Sequence, residues 1–257
     1  MTVALIYHDV VTTPLQDECG FPGPVAARYK LEPERFEAHL DAIAATGVTV
    51  GLIGNGSQTA LTFDDGGASA LDAAEALERR GWRGHFFITT GRIDTPGFLT
   101  AAQVRELADR GHAVGSHSHS HPTYMGSLSA AELAGEWRSS REVLAQILGA
   151  APEAAAVPGG FLSSAVIDQA ASAGYRLLLT SQPSTRPSSH DGMRVHGRFT
   201  IWAATTPARA AAYARGDRRA LASMWIAWQA KTAPKRISPR AYEALRRRWA
   251  RRRSGSR

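Results

Sequence analysis

The sequence has almost no cysteine and no long hydrophobic run, and each shortage excludes a class of protein. Cys19 is the only cysteine among 257 residues, which excludes a disulfide framework and a thiolate zinc site within one chain. No apolar stretch approaches the ~20 residues that a membrane-spanning helix needs. The run from Val3 to Tyr7 is strand-like and lacks the basic flank and apolar core of a signal peptide. We therefore expect a cytoplasmic protein, with histidine and carboxylate as its only metal ligands.

Acidic residues are scarce towards the C-terminus, and the net charge of +7 arises there. Between Lys235 and Arg257, ten lysines and arginines stand against Glu243 alone, a net of +9, which leaves −2 for the rest of the chain. The spacing predicts a basic helix from Pro239 to Arg253. We favour a solvated surface helix. The alternative is that this Arg-rich tail binds an anionic membrane surface, at the inner face of the membrane. Nucleic acid is not an expected partner.

Strand-like and helix-like segments alternate along the chain, with turns of a few residues between them. Predicted strands cover 3–8, 48–53, 60–63, 84–89, 112–115, 154–157, 175–180 and 193–202; predicted helices cover 33–46, 68–80, 100–110, 129–148 and 163–173. Such alternation is typical of an α/β protein with a parallel sheet or barrel. After Thr206 the sequence becomes helical, with segments at 207–219 and 222–230. We therefore divide the chain into a barrel, 1–206, and a helical, Arg-rich C-terminal extension, 207–257.

Two adjacent carboxylates, Asp64 and Asp65, end one of the apolar strands and are followed by Gly66 and Gly67. Neighbouring carboxylates repel each other, so a cation between them is expected, and a metal ion is the obvious candidate. The alternative is an Asp-Gly turn with two solvated carboxylates.

A histidine-rich loop follows another strand. His117 and His121 are four residues apart, so on a helical turn both imidazoles would share one side and His119 would point away. In an extended segment all three would share a face, and a merely polar surface loop is a third possibility. Two histidines and one carboxylate leave coordination positions open, which suits a catalytic zinc rather than a structural one.

A third loop, Pro158-Gly159-Gly160, also follows a predicted strand. Active sites of α/β barrels lie at the carboxyl ends of the strands, where all three loops would meet. The glycines would let a substrate approach the backbone, although a simple tight turn is the alternative. His8 ends the first strand and either lines the same rim or is packed.

The two central motifs together carry a family resemblance. Thr62-Phe63-Asp64-Asp65-Gly66, followed by His117 to Pro122, resembles the pattern of the polysaccharide deacetylase family (NodB-homology, carbohydrate esterase family 4). The first strand, residues 31–40 and Gly174-Tyr175-Arg176 also resemble this family, so the resemblance covers roughly residues 1–203. It implies a distorted (β/α)7-type barrel and a divalent-metal-dependent hydrolase that removes N-acetyl groups from an acetamido sugar in a polysaccharide, oligosaccharide or lipid-linked glycan.

The resemblance also implies roles for individual residues. One divalent metal, zinc before cobalt, nickel or manganese, would be held by Asp65, His117 and His121. Asp64 would be the base for a metal-activated water. Contacts with an acetylated carbohydrate are expected from His8, Pro158, Gly159 and Gly160. An O-deacetylase of an acetylated polysaccharide would use the same site, and a catalytically impaired glycan-binding barrel is the rival outside the enzymes.

Two departures from the family pattern concern the base and the acid. Many members have an arginine in the third motif that orients the base, and the corresponding run from Ala155 to Gly160 has none. The last strand lacks the usual Leu-x-His context, which leaves His196 as a weak candidate acid. This strand and Thr180-Ser181-Gln182-Pro183 look more like a subgroup that includes poly-N-acetylglucosamine deacetylases, and Arg198 is expected to be structural.

Overall fold

A computed structural model describes residues 2–160 and 162–237 of the chain. The strands are β1 Val3–Tyr7, β2 Thr59–Phe63, β3 His85–Ile88, β4 Ala113–Ser116, β5 Ala154–Ala156, β6 Leu177–Thr180, β7 Ser188–His190, β8 Met193–Gly197 and β9 Phe199–Thr200. The α-helices are α1 Pro33–Ala44, α2 Ala70–Glu78, α3 Ala101–Asp109, α4 Ala130–Leu148, α5 Ser164–Ser172, α6 Pro207–Ala214 and α7 Arg218–Ile237. None of these helices is long and apolar enough to cross a lipid bilayer.

All nine strands belong to one sheet, in the order β7-β8-β6-β5-β4-β3-β2-β1-β9. Every neighbouring pair is parallel except β7 and β8. In β8, Gly197 pairs with Thr180 of β6, and two residues later Phe199 of β9 pairs with Leu5 of β1. One extended segment therefore joins both ends of the parallel sheet and closes it. Arg198 is the residue between the part that pairs with β6 and the part that pairs with β1. The predicted distorted (β/α)7-type barrel is confirmed.

Several predicted elements differ from those observed. Residues 48–53 form no strand and contribute one bridge, between Val50 and Thr59, because the chain turns at Gly54 and Gly56, which have φ values of +100° and +80°. The predicted strand 193–202 is divided into β8 and β9. The short strand β7 was not predicted. It forms a hairpin with β8 through Asp191-Gly192, whose positive φ values suit a tight turn.

Helix α6 and the first part of α7 pack on the barrel. The predicted helices 207–219 and 222–230 are instead α6 and α7, separated at Arg215-Gly216-Asp217. Tyr213 of α6 is buried in the same apolar core as Leu5 of β1 and Phe36 of α1. The domain boundary at 206 stays a prediction, and the predicted helix from Pro239 to Arg253 lies outside the described residues.

The alternation of side chains along β2 directs its last residues into the barrel. Leu61 and Phe63 belong to the core between sheet and helices. Thr62 points the other way, and its Oγ1 accepts a hydrogen bond from Arg198 in the interior. The residue after Phe63 continues this alternation, so the Asp64 side chain also enters the barrel.

A polar network ties α2 to the amino ends of β3 and β4. The Gly84 N–H donates to Nδ1 of His112, so the ring proton lies on Nε2, which donates to Glu78 Oε1 at 2.9 Å. Arg110 donates to both Glu78 oxygens, at 2.9 and 2.7 Å. These hydrogen bonds, chiefly from Arg110, lower the pKa of Glu78 to about 2.

We expect Glu78→Gln to lower the free energy of unfolding by about 1–3 kcal/mol at neutral pH, since it removes the charged acceptor of buried His112 and half-buried Arg110. The folded-state pKa lies below the ordinary value of 4.5. The stability that Glu78 contributes is therefore fully present above pH 4.5 and is lost as the pH falls through about 2. Urea unfolding at several pH values measures both effects, and the variant should flatten the dependence in this window.

Glu75→Gln is the matched control, because Glu75 lies on the same helix and makes only an exposed ion pair with Arg79. A loss of about 0.5 kcal/mol or less is expected there. Equal losses in the two variants would contradict the role given to Glu78.

Candidate active site and metal centre

The two carboxylates lie at the carboxyl edge of the barrel, where the backbone changes direction. The Asp64 N–H donates to the Tyr7 carbonyl at 3.0 Å, and the Thr89 N–H donates to the Asp65 carbonyl at 3.2 Å. Asp65 and Gly66 both have a φ of +80°. This left-handed conformation costs a non-glycine residue about 1 kcal/mol or more. It reverses the strand alternation, so that both carboxylates face the same site.

Asp64 is held by a guanidinium from the opposite side of the barrel. Arg198 Nη1 lies 2.7 Å from Asp64 Oδ1, and Nη2 lies 2.8 Å from Oδ2. Arg198 also donates to Thr62 Oγ1 at 2.9 Å and to the Thr180 carbonyl at 3.3 Å, and it stacks over Phe87. Two parallel hydrogen bonds fix the plane of the carboxylate as well as its charge.

This pair determines the ionisation of Asp64. Burial by itself would raise the pKa of the carboxyl, but Arg198, with a smaller effect of His117, holds that pKa below its usual range. Asp64 is therefore ionised at neutral pH. The expectation that Arg198 is only structural is wrong, because Arg198 binds Asp64 directly and orients it although the third motif has no arginine.

The histidine loop is neither helical nor extended. Ser118 and His121 have positive φ values of 63° and 58°, so neither the helical turn nor the extended segment considered from the sequence is observed. Nevertheless, Nε2 of His117 and Nε2 of His121 lie 3.4 and 3.3 Å from Asp65 Oδ1. His119 points away, and its Nδ1 hydrogen-bonds Thr90 Oγ1 at 3.0 Å. The structure thus brings together Asp65, His117 and His121 and separates His119 from them.

A glutamate on α4 fastens this loop, and sequence reasoning missed it. Glu136 Oε2 accepts the backbone N–H groups of His119 and Ser120 at 2.9 and 2.8 Å, and Oε1 accepts the Ser120 hydroxyl at 2.6 Å. The His121 N–H donates to Ser118 Oγ at 3.1 Å. These bonds satisfy the irregular backbone and keep it in the left-handed turns. An acidic residue on an amphipathic helix gives no sign of this role in the sequence.

The loop after β5 positions His117. Nδ1 of His117 donates to the Ala156 carbonyl at 3.0 Å, which leaves the Nε2 lone pair facing the carboxylates. Burial lowers the pKa of His117 to about 4, so its imidazole is neutral at neutral pH. Pro158 is buried and Gly159 is exposed, both at this edge. Gly160 has a φ of +70°, and a Cβ there would lie 1.6 Å from Ser181 Oγ, so close packing requires this glycine.

The cluster of Asp65, His117 and His121 fits one divalent cation. Their ligand atoms all lie within 4.8 Å of one another. Within the described residues, buried Asp65 Oδ1 completes no hydrogen bond, although both imidazole nitrogens are near it. Burial alone would lower the pKa of His121, but the Asp65 carboxylate raises it, so a proton on His121 would compete with the cation. Two imidazoles and one carboxylate are a suitable donor set for zinc and related metals.

The two remaining histidine candidates have different surroundings. His8 follows β1 at the carboxyl edge and is near enough to Asp64 and Asp65 for its charge to lower their pKa values. Its ring packs 4.7 Å from that of Tyr29. His196 instead interacts with His85, and its Nδ1 donates to the Gly197 carbonyl at 2.7 Å. Among the described residues, no hydrogen bond or ion pair joins His196 to either carboxylate.

An aromatic side chain from the loop after β1 borders the cluster and was also missed. The Phe21 ring lies 4.6 Å from that of His121 and 5.1 Å, edge to face, from that of Phe98. The Arg92 guanidinium lies over Phe21 at 5.4 Å. Phe21 thus packs against one predicted metal ligand and shields that side of the site.

Residues 54–178, just under half of the chain and including both central motifs, match the family model described as polysaccharide deacetylase. Over this range the chain resembles the polysaccharide deacetylase family. Its last parallel segment, which supplies Arg198, lies beyond the matched range. No curated protein matched the sequence at the significance level applied.

Several solved structures share the fold of this chain. A polysaccharide deacetylase from Bacillus cereus has a TM-score of 0.70 and 21% identity, over 83% of this chain and 68% of that one. The Streptococcus pyogenes deacetylase PplD, solved in complex with acetate, has a TM-score of 0.67 and 21% identity, over 80% and 94%. IcaB from Ammonifex degensii has a TM-score of 0.67 and 20% identity, over 84% and 97%. Such identities establish the fold alone.

Zinc binding by this protein tests the metal site of Asp65, His117 and His121 independently of catalytic activity. Calorimetric titration of chelator-treated protein should show that His117→Ala and His121→Ala each weaken zinc affinity by about 100-fold or more, because each removes a direct ligand.

His119→Ala is the matched control from the same loop, and it should change the affinity by about threefold or less because His119 faces Thr90. The assignment fails if His119→Ala weakens zinc binding as much as His117→Ala does.

Proposed function

We propose that this protein is a divalent-metal-dependent hydrolase that removes N-acetyl groups from an acetamido sugar in a polysaccharide, oligosaccharide or lipid-linked glycan. The observation that carries the proposal is an ionised, doubly hydrogen-bonded Asp64 beside the cluster of Asp65, His117 and His121. The family resemblance supports carbohydrate deacetylation in general. Two points belong to the proposal: that the substrate is an N-acetyl amide rather than an O-acetyl ester, and that a metal is required.

Asp65, His117 and His121 would hold the metal, with zinc preferred to cobalt, nickel or manganese on their nitrogen and oxygen donors. Such a cation supplies Lewis acidity, which makes water more acidic and polarises the acetyl carbonyl. The neutral state of His117 suits this role, because a protonated imidazole cannot donate its nitrogen lone pair.

Asp64 takes a proton from the attacking water. Each of its oxygens accepts one bond from Arg198 and retains a second acceptor position, so the pairing does not block the base. Arg198 keeps Asp64 ionised and fixes the direction of its free lone pairs. The oxygen of water forms the new bond to the acetyl carbon, and the bond from that carbon to the sugar nitrogen breaks.

The departing nitrogen needs a proton, and we assign its delivery to His8. His8 lies at the carboxyl edge near both aspartates, whereas His196 interacts with His85 and donates from Nδ1 to the Gly197 carbonyl. Nδ1 of His8 is buried and makes no hydrogen bond to the described residues. Proton transfer to the nitrogen would release the free amine, with acetate as the second product.

The alternative, a catalytically impaired glycan-binding barrel, was supported by the missing arginine and by the uncertain acid, and the contact of Arg198 with Asp64 removes the first of these supports. O-deacetylation would use the same groups, and no contact in the site favours it. Substrate contacts from His8, Pro158, Gly159 and Gly160 remain predictions, as do a cytoplasmic location, an anionic membrane partner for the Arg-rich tail and the lack of a nucleic-acid partner.

Acetate release from N-acetylglucosamine oligomers with added zinc or cobalt is the direct test. Asp64→Asn should lower kcat by about 100- to 10,000-fold, because the amide cannot accept the proton. His8→Ala should lower kcat with zinc affinity unchanged, while His196→Ala should leave kcat of the folded protein nearly unchanged.

Acetylated xylan should be assayed in parallel, because faster acetate release from it would favour the O-deacetylase. Equal acetate release by wild type and Asp64→Asn would contradict the proposed function. A loss of kcat in His196→Ala but not in His8→Ala would reverse the assignment of the proton donor.

A further inference from the structure

Helix α7 carries an exposed, largely apolar stripe beside the face that packs on the barrel. Trp225 is 46% exposed and Ile226 is 61% exposed. With Ala222 and Gln229 they occupy positions i, i+3, i+4 and i+7, which share one face of a helix. On the neighbouring face of the helix, Leu221 and Met224 pack against the main apolar core. These two side chains therefore anchor α7 on the barrel.

The surroundings of this stripe are cationic. Arg218 and Arg219 are exposed one turn before Ala222, and Arg186 shares a surface cleft with Trp225. The sequence of α7 contains no aspartate or glutamate. Ten lysines and arginines against one glutamate follow between residues 235 and 257. A large exposed indole and a β-branched side chain thus lie within a strongly basic part of the chain.

This combination selects among the possible occupants of the stripe. A second copy of the chain, or the chain's own basic tail, would bring like charges together on this face. A nucleic acid would neutralise the arginines but leave Ile226 without an apolar partner. An anionic lipid surface meets both needs, because its acyl region accepts Trp225 and Ile226 while its phosphates pair with the flanking arginines.

We propose that the α7 stripe docks on an anionic lipid surface, with Trp225 and Ile226 inserted at the boundary between headgroups and acyl chains. The basic sequence after the stripe adds long-range attraction, which salt weakens. Docking of this kind is peripheral, consistent with a helix that is too polar to cross a bilayer. It requires no glycan and is independent of the proposed function.

Vesicle sedimentation with the full chain tests the proposal. The protein should bind vesicles of equal parts phosphatidylglycerol and phosphatidylcholine, should bind phosphatidylcholine vesicles far more weakly, and should lose affinity as salt rises. A double variant, Trp225→Ser with Ile226→Ser, should weaken binding to the anionic vesicles by about tenfold or more, because it removes the buried apolar contact.

The matched control is Leu15→Ser with Val25→Ser, which changes apolar side chains of similar exposure, 48% and 63%, outside α7. Its vesicle affinity should equal that of wild type. Failure of wild type to bind anionic vesicles, or equal affinity in both double variants, would overturn the proposal. So would a wild-type dimer that the α7 double variant converts to a monomer, or tighter binding to duplex DNA that this variant weakens. Each result leaves the acetate-release assay unaffected.

Discussion

The site depends on the double hydrogen bond between Arg198 and Asp64. A carboxylate buried in the mouth of a barrel would tend to take up a proton, and a protonated Asp64 could not act as a base. The guanidinium keeps it ionised, and Thr62 and the Thr180 carbonyl satisfy further donors of Arg198. Removing one partner of such a buried pair typically costs about 3–5 kcal/mol, so the pair also constrains how the barrel can close.

Barrel closure places the arginine. The segment 193–200 pairs first with β6 and then with β1, and Arg198 is the residue at which it changes partner. From there the side chain crosses the interior to the end of β2. Many relatives are expected to carry the orienting arginine in the third motif, after β5. In this chain a different segment supplies the same guanidinium, and Ala156, the last residue of β5, accepts a hydrogen bond from His117.

Local patterns in the sequence predicted most of the fold and the core of the site. The helix N-caps at Thr100 and Ser129 form the capping boxes that their neighbours suggest, and the strand ending in Asp64-Asp65 is present. Features that depend on distant parts of the chain could not be predicted. Packing inside the barrel decides that His196 lies beside His85, and barrel closure decides that Arg198 reaches Asp64. Glu136 binds a loop whose irregular backbone the histidine spacing did not reveal.

The most direct measurement of the central claim is the pH dependence of kcat/KM for acetate release in Arg198→Lys, with Arg194→Lys on the exposed side of the same segment as control. Lysine keeps a charge but cannot make two parallel bonds, so kcat should fall by about 10- to 100-fold. The pKa of Asp64, held down by Arg198 in wild type, should rise, and the acidic limb of the profile should move to higher pH, with zinc affinity unchanged. A profile that matches wild type in both position and height would contradict the account.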